Sequence, residues 1–469
     1  MERIDVLPDD VLLEIFDFYV GMNSDTMGPE LPDVEKRRVE GWQSLVHVCR
    51  RWRSLVFQSS SRLDLHLYCT PETPARDTLD VWPALPLLVR GSMASTPGMD
   101  IIVALGQSNG VRQVILWGFV DRQFEKVLAA MQVPFPQLTV LELAAPDDEA
   151  LPAVPIPDSF LGGSAPLLKF FWLSGIPFPG LPNLLLSANH LIYIYLLNIP
   201  HSGYISPQAI VALLPALSSL EILALGFRSP QSRPGRGYRR LPPPYRFILP
   251  ALKELIFKGV TEYLEELVIH IDTPQLDRMD ITFFNQINFD CPRLAQFINR
   301  TPTLTPDKGY VEFDDTSANI SLRSRTSMSS YDDSVIRILC SGSDWQLSSI
   351  EQVCNLSLPH LSTVEDLYIK HEYGRLVWEN DVIEKTLWLD LLLPFTAVKN
   401  LYVFGVFAPG IAAALQELVG GGTEAVLPSL QNIFVDELNP SGAFQKNIRP
   451  FVAARQRSDH PITISIWDK

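Results

Sequence analysis

The chain has 469 residues, 46% of them hydrophobic, and a formal net charge of −15. That apolar content excludes a disordered chain, and the length exceeds one hydrophobic core, which leaves several domains or an array of repeats. The acidic balance, with an isoelectric point near 5.0, argues against a nucleic-acid binder held by bulk electrostatics, because most of the surface repels a polyanion.

The first predicted element is a helix in "IDVLPDDVLLEIFDFYV". Pro8 sets the backbone at its start, and Asp9 and Asp10 place negative charge at the positive end of the helix dipole. Leu12, Ile15, Phe16 and Tyr19 follow at helical spacing and form one apolar face. A polar stretch from Gly21 to Glu40 interrupts the pattern, and "LVHVCRRWRSLVF", residues 45–57, predicts a second helix. Its apolar stripe is Leu45, Val48, Cys49, Trp52, Leu55 and Val56, with Arg50, Arg51 and Arg53 projecting elsewhere. Two such helices bury little surface together and need a partner.

The two segments together resemble the F-box motif, here of the fungal type followed by divergent leucine-rich repeats. Leu7 and Pro8 match its opening, and Val48, Cys49, Arg50 and Trp52 match its V-C-[KR]-x-W core; the match spans roughly residues 4–60, with a longer polar insertion than the family usually has. The resemblance implies a module over residues 1–65 that binds a Skp-type adaptor and, through it, a cullin scaffold and a ubiquitin-conjugating enzyme. Leu7, Pro8, Leu12, Ile15, Phe16, Val48, Cys49 and Trp52 would supply adaptor contacts or the small core behind them. The arginines would face an acidic partner surface or water. The competing reading makes these helices a cap on the following domain, since repeat arrays need capped ends.

Over residues 66–469 a pattern of apolar-x-x-apolar-x-apolar recurs: "VRQVIL" from Val111, "LTVLEL" from Leu138, "LKFFWL" from Leu168, "LIYIYL" from Leu191, "LEILAL" from Leu220, "LKELIF" from Leu252 and "LDRMDI" from Leu276. It resumes as "VIRILC" from Val335, "VEDLYI" from Val364, "VKNLYV" from Val398 and "LQNIFV" from Leu430, with a degenerate unit expected near "GYVEF" in the gap. Helical pieces lie between, among them "DRQFEKVLAAM", "SPQAIVALLPAL", "CPRLAQFINR", "NDVIEKTLWLDLLL" and "GIAAALQELV". Prolines 136, 166 and 250 end one helix and introduce the next strand. Alternation at this period predicts an α/β fold: an irregular array similar to leucine-rich repeats, with a parallel sheet on its concave face. The polar residue usual after such strands is replaced by Phe119, Ile176, Ile199, Val260, Phe284 and Val406, so apolar packing must hold the turns.

Residues alternating with the inner apolar positions point out of the sheet. They include Trp117, Phe170, Trp172, Tyr193, Tyr195, Tyr368, Tyr402, Phe404 and Phe434. Of these, Trp172, Tyr193, Tyr195, Tyr368 and Tyr402 are the expected contacts to a protein substrate, because exposed aromatics on a rigid scaffold mark recognition surfaces; the alternative is that other segments cover them as core. The stretch from Arg228 to Pro244 carries five arginines and no acidic residue, and reads as a solvated insertion or a capture loop for an acidic or phosphorylated segment.

Evidence of catalysis is thin: P-loop, dinucleotide-binding, zinc-protease and nucleophile-elbow motifs are all missing, and "GGG" at 420–422 reads as a helix end. Cys49, Cys69, Cys291, Cys340 and Cys354 have no C-x-x-C spacing and read as small buried apolar residues. No cofactor or metal is expected. Without a signal sequence or a membrane span in view, the expected compartment is cytoplasm or nucleus, where the sequons at Asn299, Asn319 and Asn355 carry no meaning. The reading is therefore a substrate receptor of a cullin-RING (SCF-type) ubiquitin ligase, not itself an enzyme. A repeat scaffold without a ligase is the alternative.

Overall fold

A computed structural model describes residues 7–24, 41–71, 75–82, 84–94, 98–119, 121–146, 154–231, 246–289, 291–301, 303–304, 306–323, 334–340, 342–371, 385–419, 425–436, 443–458 and 460–467. The chain divides into one compact unit of residues 1–146 with 159–165 and a second of residues 147–158 with 166–469. Most of the arginine-rich stretch and the "GGG" segment lie outside the described residues.

The first unit opens with helices α1 (Asp9–Ser24), α2 (Gly41–Val46) and α3 (Arg50–Gln58). The single helix expected over residues 45–57 is broken at His47–Cys49. The reason is local: Cys49 has extended backbone, and its Sγ accepts from the Trp52 backbone N–H at 3.5 Å, which starts a new helix there. Cys49 is therefore a half-buried cap and not a core residue. Strands β1 (Leu67–Cys69), β2 (Leu87–Ser92), β3 (Val111–Trp117) and β4 (Val140–Ala144) pair in parallel in that order, with α4 (Ala75–Val81), α5 (Met99–Leu105) and α6 (Asp121–Ala130) between them. Trp42, 2% exposed, ties the helices to these repeats. Its indole N–H donates to the His66 carbonyl at 3.2 Å, and its ring meets Trp82 edge-on at 5.1 Å.

The second unit contains strands β5 (Phe170–Ser174), β6 (Tyr193–Ile199), β7 (Ile222–Phe227), β8 (Phe247–Ile248), β9 (Glu254–Gly259), β10 (Ile271–Asp272) and β11 (Arg278–Phe284). They are followed by β12 (Lys308–Phe313), β13 (Ser317–Arg323), β14 (Ser334–Leu339), β15 (Asp366–His371), β16 (Asn400–Val403), β17 (Asn432–Val435) and β18 (Thr463–Ile466). The main sheet of this unit runs β5-β6-β7-β9-β11-β14-β13-β12-β15-β16-β17-β18; β8 and β10 form a small parallel pair. Its helices are α7 (Leu181–Leu185), α8 (Pro207–Leu213), α9 (Thr261–Val268), α10 (Pro292–Asn299), α11 (Ser343–Ser357), α12 (Lys385–Leu392), α13 (Ala408–Glu417) and α14 (Ala443–Arg457).

Every recurring pattern gives a strand, but from Leu138 onward most strands start two residues later than the pattern does. The leading residue sits in the preceding turn: Leu138, Leu168, Leu191, Leu220, Leu252 and Leu276 are all at most 1% exposed. Leu138, for example, donates its N–H to Phe135. The apolar turn residues are packed as expected, with Phe119, Ile176, Ile199, Val260 and Phe284 all buried. On the helix side, Tyr263 is fully enclosed among Phe227, Phe257 and Tyr204, and its hydroxyl donates to the Ile205 carbonyl at 2.9 Å.

"GYVEF" does form a parallel strand, β12, next to β15. Beside it β13 runs antiparallel to both β12 and β14, an arrangement with no sign in the residue pattern, making a meander that stands between β11 and β15. Asp314 closes its first turn, accepting from the backbone N–H groups of Thr316 at 2.6 Å and Ser317 at 2.7 Å. Gln346 of α11, 1% exposed, donates to the carbonyls of Asp314 and Cys340 and so ties both ends of the meander to one helix. At the far end, Arg455 of α14 is fully buried and donates to the carbonyls of Leu427, Pro428 and Leu430, fixing the turn that leads into β17.

Candidate interaction surfaces

The eight residues assigned to the N-terminal motif separate into two sets. Leu12 and Phe16 are buried, and Phe16 meets the half-buried Trp52 edge to face with centroids 4.7 Å apart. Ile15 and Val48 are exposed at 47% and 59%, Pro8 is exposed, and Leu7 is half-buried. The apolar face predicted for α1 is thus two faces. Leu12 and Phe16 point inward, whereas Val11, Ile15, Phe18 and Tyr19 form an exposed stripe, a feature visible in the sequence as a second apolar repeat offset by one residue.

The arginines correct a second expectation. Arg51 bonds the Asp9 carboxylate and the Leu7 carbonyl, both at 2.6 Å, and Arg53 donates to the Val46 carbonyl at 3.0 Å. Both are used inside the chain, one clamping the start of α1 and the other the end of α2. Arg50 is exposed.

The second surface is the open face of the second unit's sheet. Trp172, Tyr193, Tyr195, Tyr368 and Tyr402 are all half-buried there, and the strand register gathers them. One cross-strand row reads Trp172, Tyr195, Ala224, Ile256, Asp280, Val335, Ser321, Tyr310, Tyr368, Tyr402, Phe434, Ser465. Tyr193 and Phe170 sit beside Trp172 and Tyr195, in the neighbouring row. Trp117 belongs to the first unit, in register with Ser92 and Ala144.

At one end of the row Trp172 stacks on Tyr195 at 4.7 Å, with Phe170 5.8 Å from Tyr195. Burial, then Glu254 and Tyr193, raise the Tyr195 phenol above its ordinary range. At the other end Tyr310, Tyr368, Tyr402 and Phe434 form a face-to-face ladder at 4.6, 4.2 and 4.6 Å, with Trp467 against Tyr368 and Tyr402. Burial and the adjoining Tyr402 drive the Tyr368 phenol well up. Beside the ladder runs a polar one: Asn400 donates to Asp366 and Asn432 to Asn400, each at 2.8 Å, and Thr463 donates to Asn432. Tyr310 and Trp467 escaped sequence reasoning; for Tyr310 the alternation within "GYVEF" held the signal.

Among the described residues, no group of three or more His, Cys, Asp or Glu could hold a metal ion, and no helix is long and apolar enough to cross a membrane. Asn319, one of the three sequon residues, is 2% exposed and donates to Glu312.

The geometry defines a mixed α/β chain of strand–helix repeats with a mostly parallel sheet. No protein-family model matches it, and no curated protein matches it significantly. Among solved structures it is similar to the leucine-rich repeat-containing protein LegL7 from Legionella pneumophila, at 13% identity over 82% of this chain and 97% of that one, with a TM-score of 0.28.

Proposed function

We propose that this chain is a substrate receptor of a cullin-RING ubiquitin ligase, in which the N-terminal helices dock a Skp-type adaptor and the repeats hold a protein substrate. The observation that carries the reading is the exposed stripe of Val11, Ile15, Phe18 and Tyr19 on α1. The two separated halves of the motif pack on each other through Phe16 and Trp52, and this stripe is left over as a helix face suited to an apolar groove. The chain supplies no chemistry in this scheme. It raises the effective concentration of substrate lysines near an enzyme that the adaptor and scaffold bring.

Co-expression with a Skp-type adaptor tests the proposal. A stable complex should form, and Leu7→Ala with Pro8→Ala should weaken it by about 2–4 kcal/mol while the repeats stay folded, as hot-spot truncations do. Equal capture by the double variant and the parent sinks the ligase reading. The alternative, a repeat scaffold capped by these helices, is favoured by one feature: Trp42 packs α2 onto the first repeats within the same compact unit. In that case deleting residues 1–60 unfolds the first unit and no adaptor is captured.

A further inference from the structure

The open face of the second unit carries basic side chains that stand apart from its carboxylates. A second cross-strand row, beside the aromatic one, reads Gly226, Lys258, Thr282, Arg337, Asn319, Glu312, Lys370. The carboxylates on this face are engaged: Glu254 and Asp280 by Arg278 at 2.7 and 3.9 Å, Glu312 by Lys370 at 2.7 Å, and Asp366 by the Asn400 amide. Lys258 and Arg337 have no carboxylate within ion-pair distance among the described residues, and the Arg337 side chain is exposed. Among the described residues, two cations thus stand without an ion-pair partner in mid-sheet on a protein of net charge −15, the Lys258 ammonium lying 5.9 Å from the centre of the Phe284 ring.

Their surroundings define the ligand further. Between Tyr195 and Tyr310 the two rows carry Ile256, Lys258 and Arg337 among otherwise small or short residues, Ala224, Gly226, Thr282, Val335 and Ser321, while aromatic side chains rise at both ends. The result is a shallow trough six strand spacings long, roughly 29 Å at ~4.8 Å each, which matches about nine extended residues. In the Tyr310–Phe434 ladder, interplanar angles of 14°, 7° and 11° show that the ring faces are spent on one another. Stacked rings present edges, which are the positive part of the aromatic quadrupole, together with phenol hydroxyls. Such a rim suits carbonyls along its edges, and where the ladder ends at Tyr310 the Lys370 ammonium and the Arg323 guanidinium lie over the ring at 4.8 and 5.3 Å.

We propose that this trough binds an extended polypeptide segment rich in aspartate and glutamate, with Lys258 and Arg337 taking its carboxylates and the aromatic clusters at Trp172–Tyr195 and Tyr310–Tyr368 taking its flanking apolar residues. The proposal deepens the substrate-holding half of the proposed function and rests on it. Arginine provides the bidentate, charge-assisted contact and lysine a point charge.

The test is selection from a displayed library of random peptides about twelve residues long on the full chain, followed by anisotropy titration of the selected sequences. Expected are sequences enriched in Asp and Glu with apolar flanks. Their affinity should fall at least about tenfold on Arg337→Glu and decline steeply between about 0.05 and about 0.5 M salt. Lys258→Met with Arg337→Met, which keeps the aliphatic bulk and the fold, should also abolish binding. Neutral or basic winners, or unchanged binding by the methionine variant, would overturn the proposal. So would binding only to phosphoserine versions of the peptides or to a labelled oligouridine. Adaptor capture measured on the same variants should not change; its loss from the unaltered chain would sink the ligase reading alone and leave the peptide selection standing.

Discussion

Phe16 and Trp52 meet edge to face with ring centroids 4.7 Å apart, one from each half of the N-terminal motif. Phe16 is fully buried, whereas Ile15 beside it is 47% exposed, so adjacent positions separate stability from recognition. Phe16→Ala should cost about 3–5 kcal/mol, the range for a buried aromatic. Ile15→Asp should leave the melting temperature within the small shift usual for surface changes, yet abolish adaptor capture. Capture of the adaptor by Ile15→Asp at the parental level would show that the α1 stripe is not the docking face.

Arg51 holds the start of α1 through the Leu7 carbonyl and the Asp9 carboxylate. Because Asp9 is 63% exposed, solvent screening keeps the ion pair modest. The carbonyl contact adds a charge-assisted bond, and Arg51→Ala should loosen the first turns of α1 by about 1 kcal/mol. Hydrogen exchange at Leu12–Phe16 should quicken in that variant and stay unchanged in Arg50→Ala, whose side chain is exposed. Equal protection in both variants would mean that the clamp is not formed in solution.

The repeats were legible because each strand buries one side: the alternation in "LIYIYL" places Ile194 and Leu196 inside and Tyr193 and Tyr195 outside. The β12–β14 meander was hidden for the same reason. "SANISLR" alternates no differently from a parallel strand, and its direction is set by the Asp314 turn and the Gln346 anchor, contacts between segments distant in sequence. The break at Cys49 was missed because the apolar stripe from Leu45 to Val56 continues in phase across a cap that only backbone geometry reveals. The pair of mid-sheet cations was beyond sequence reading altogether. Lys258 and Arg337 come onto one row, on either side of Thr282, only once β14 is placed against β11, and the net charge pointed the other way.

Tyr402 is stacked on both faces, by Tyr368 at 4.2 Å and Phe434 at 4.6 Å, whereas among the described residues Tyr195 has one close stacking partner, Trp172 at 4.7 Å. Aromatic pairs add about 0.5–1.5 kcal/mol each beyond burial. Denaturant titration should therefore find Tyr402→Ala about twice as costly as Tyr195→Ala. Both should lie between a surface change and a core truncation, since these side chains are half-buried. In an alkaline spectrophotometric titration Tyr368 should ionise after the exposed tyrosines, because burial and the Tyr402 neighbour disfavour its phenolate. Costs of Tyr402→Ala and Tyr195→Ala that are both negligible would mean that the ladder is not assembled.

Asp314 couples the meander to pH. Burial opposes its ionisation, but the Ser317 hydroxyl at 2.5 Å, the Thr316 hydroxyl at 3.0 Å and the two backbone N–H groups outweigh that and hold its carboxyl below the ordinary value of 3.8. A carboxyl depressed in the folded state stabilises fully above its unfolded value, and that contribution disappears as pH falls through the folded one. Asp314→Asn keeps an acceptor oxygen and loses the charge. Hydrogen bonds to a charged group are worth about 1.5–3 kcal/mol, so the variant should be less stable than the parent at neutral pH by up to that amount. The gap should stay constant down to about pH 5 and close progressively below the ordinary carboxylate range, as the parent's own carboxylate takes up its proton. Urea titrations of both proteins across that range measure it. A gap that persists unchanged into strong acid would assign the loss to altered shape at the turn and not to the charge of Asp314.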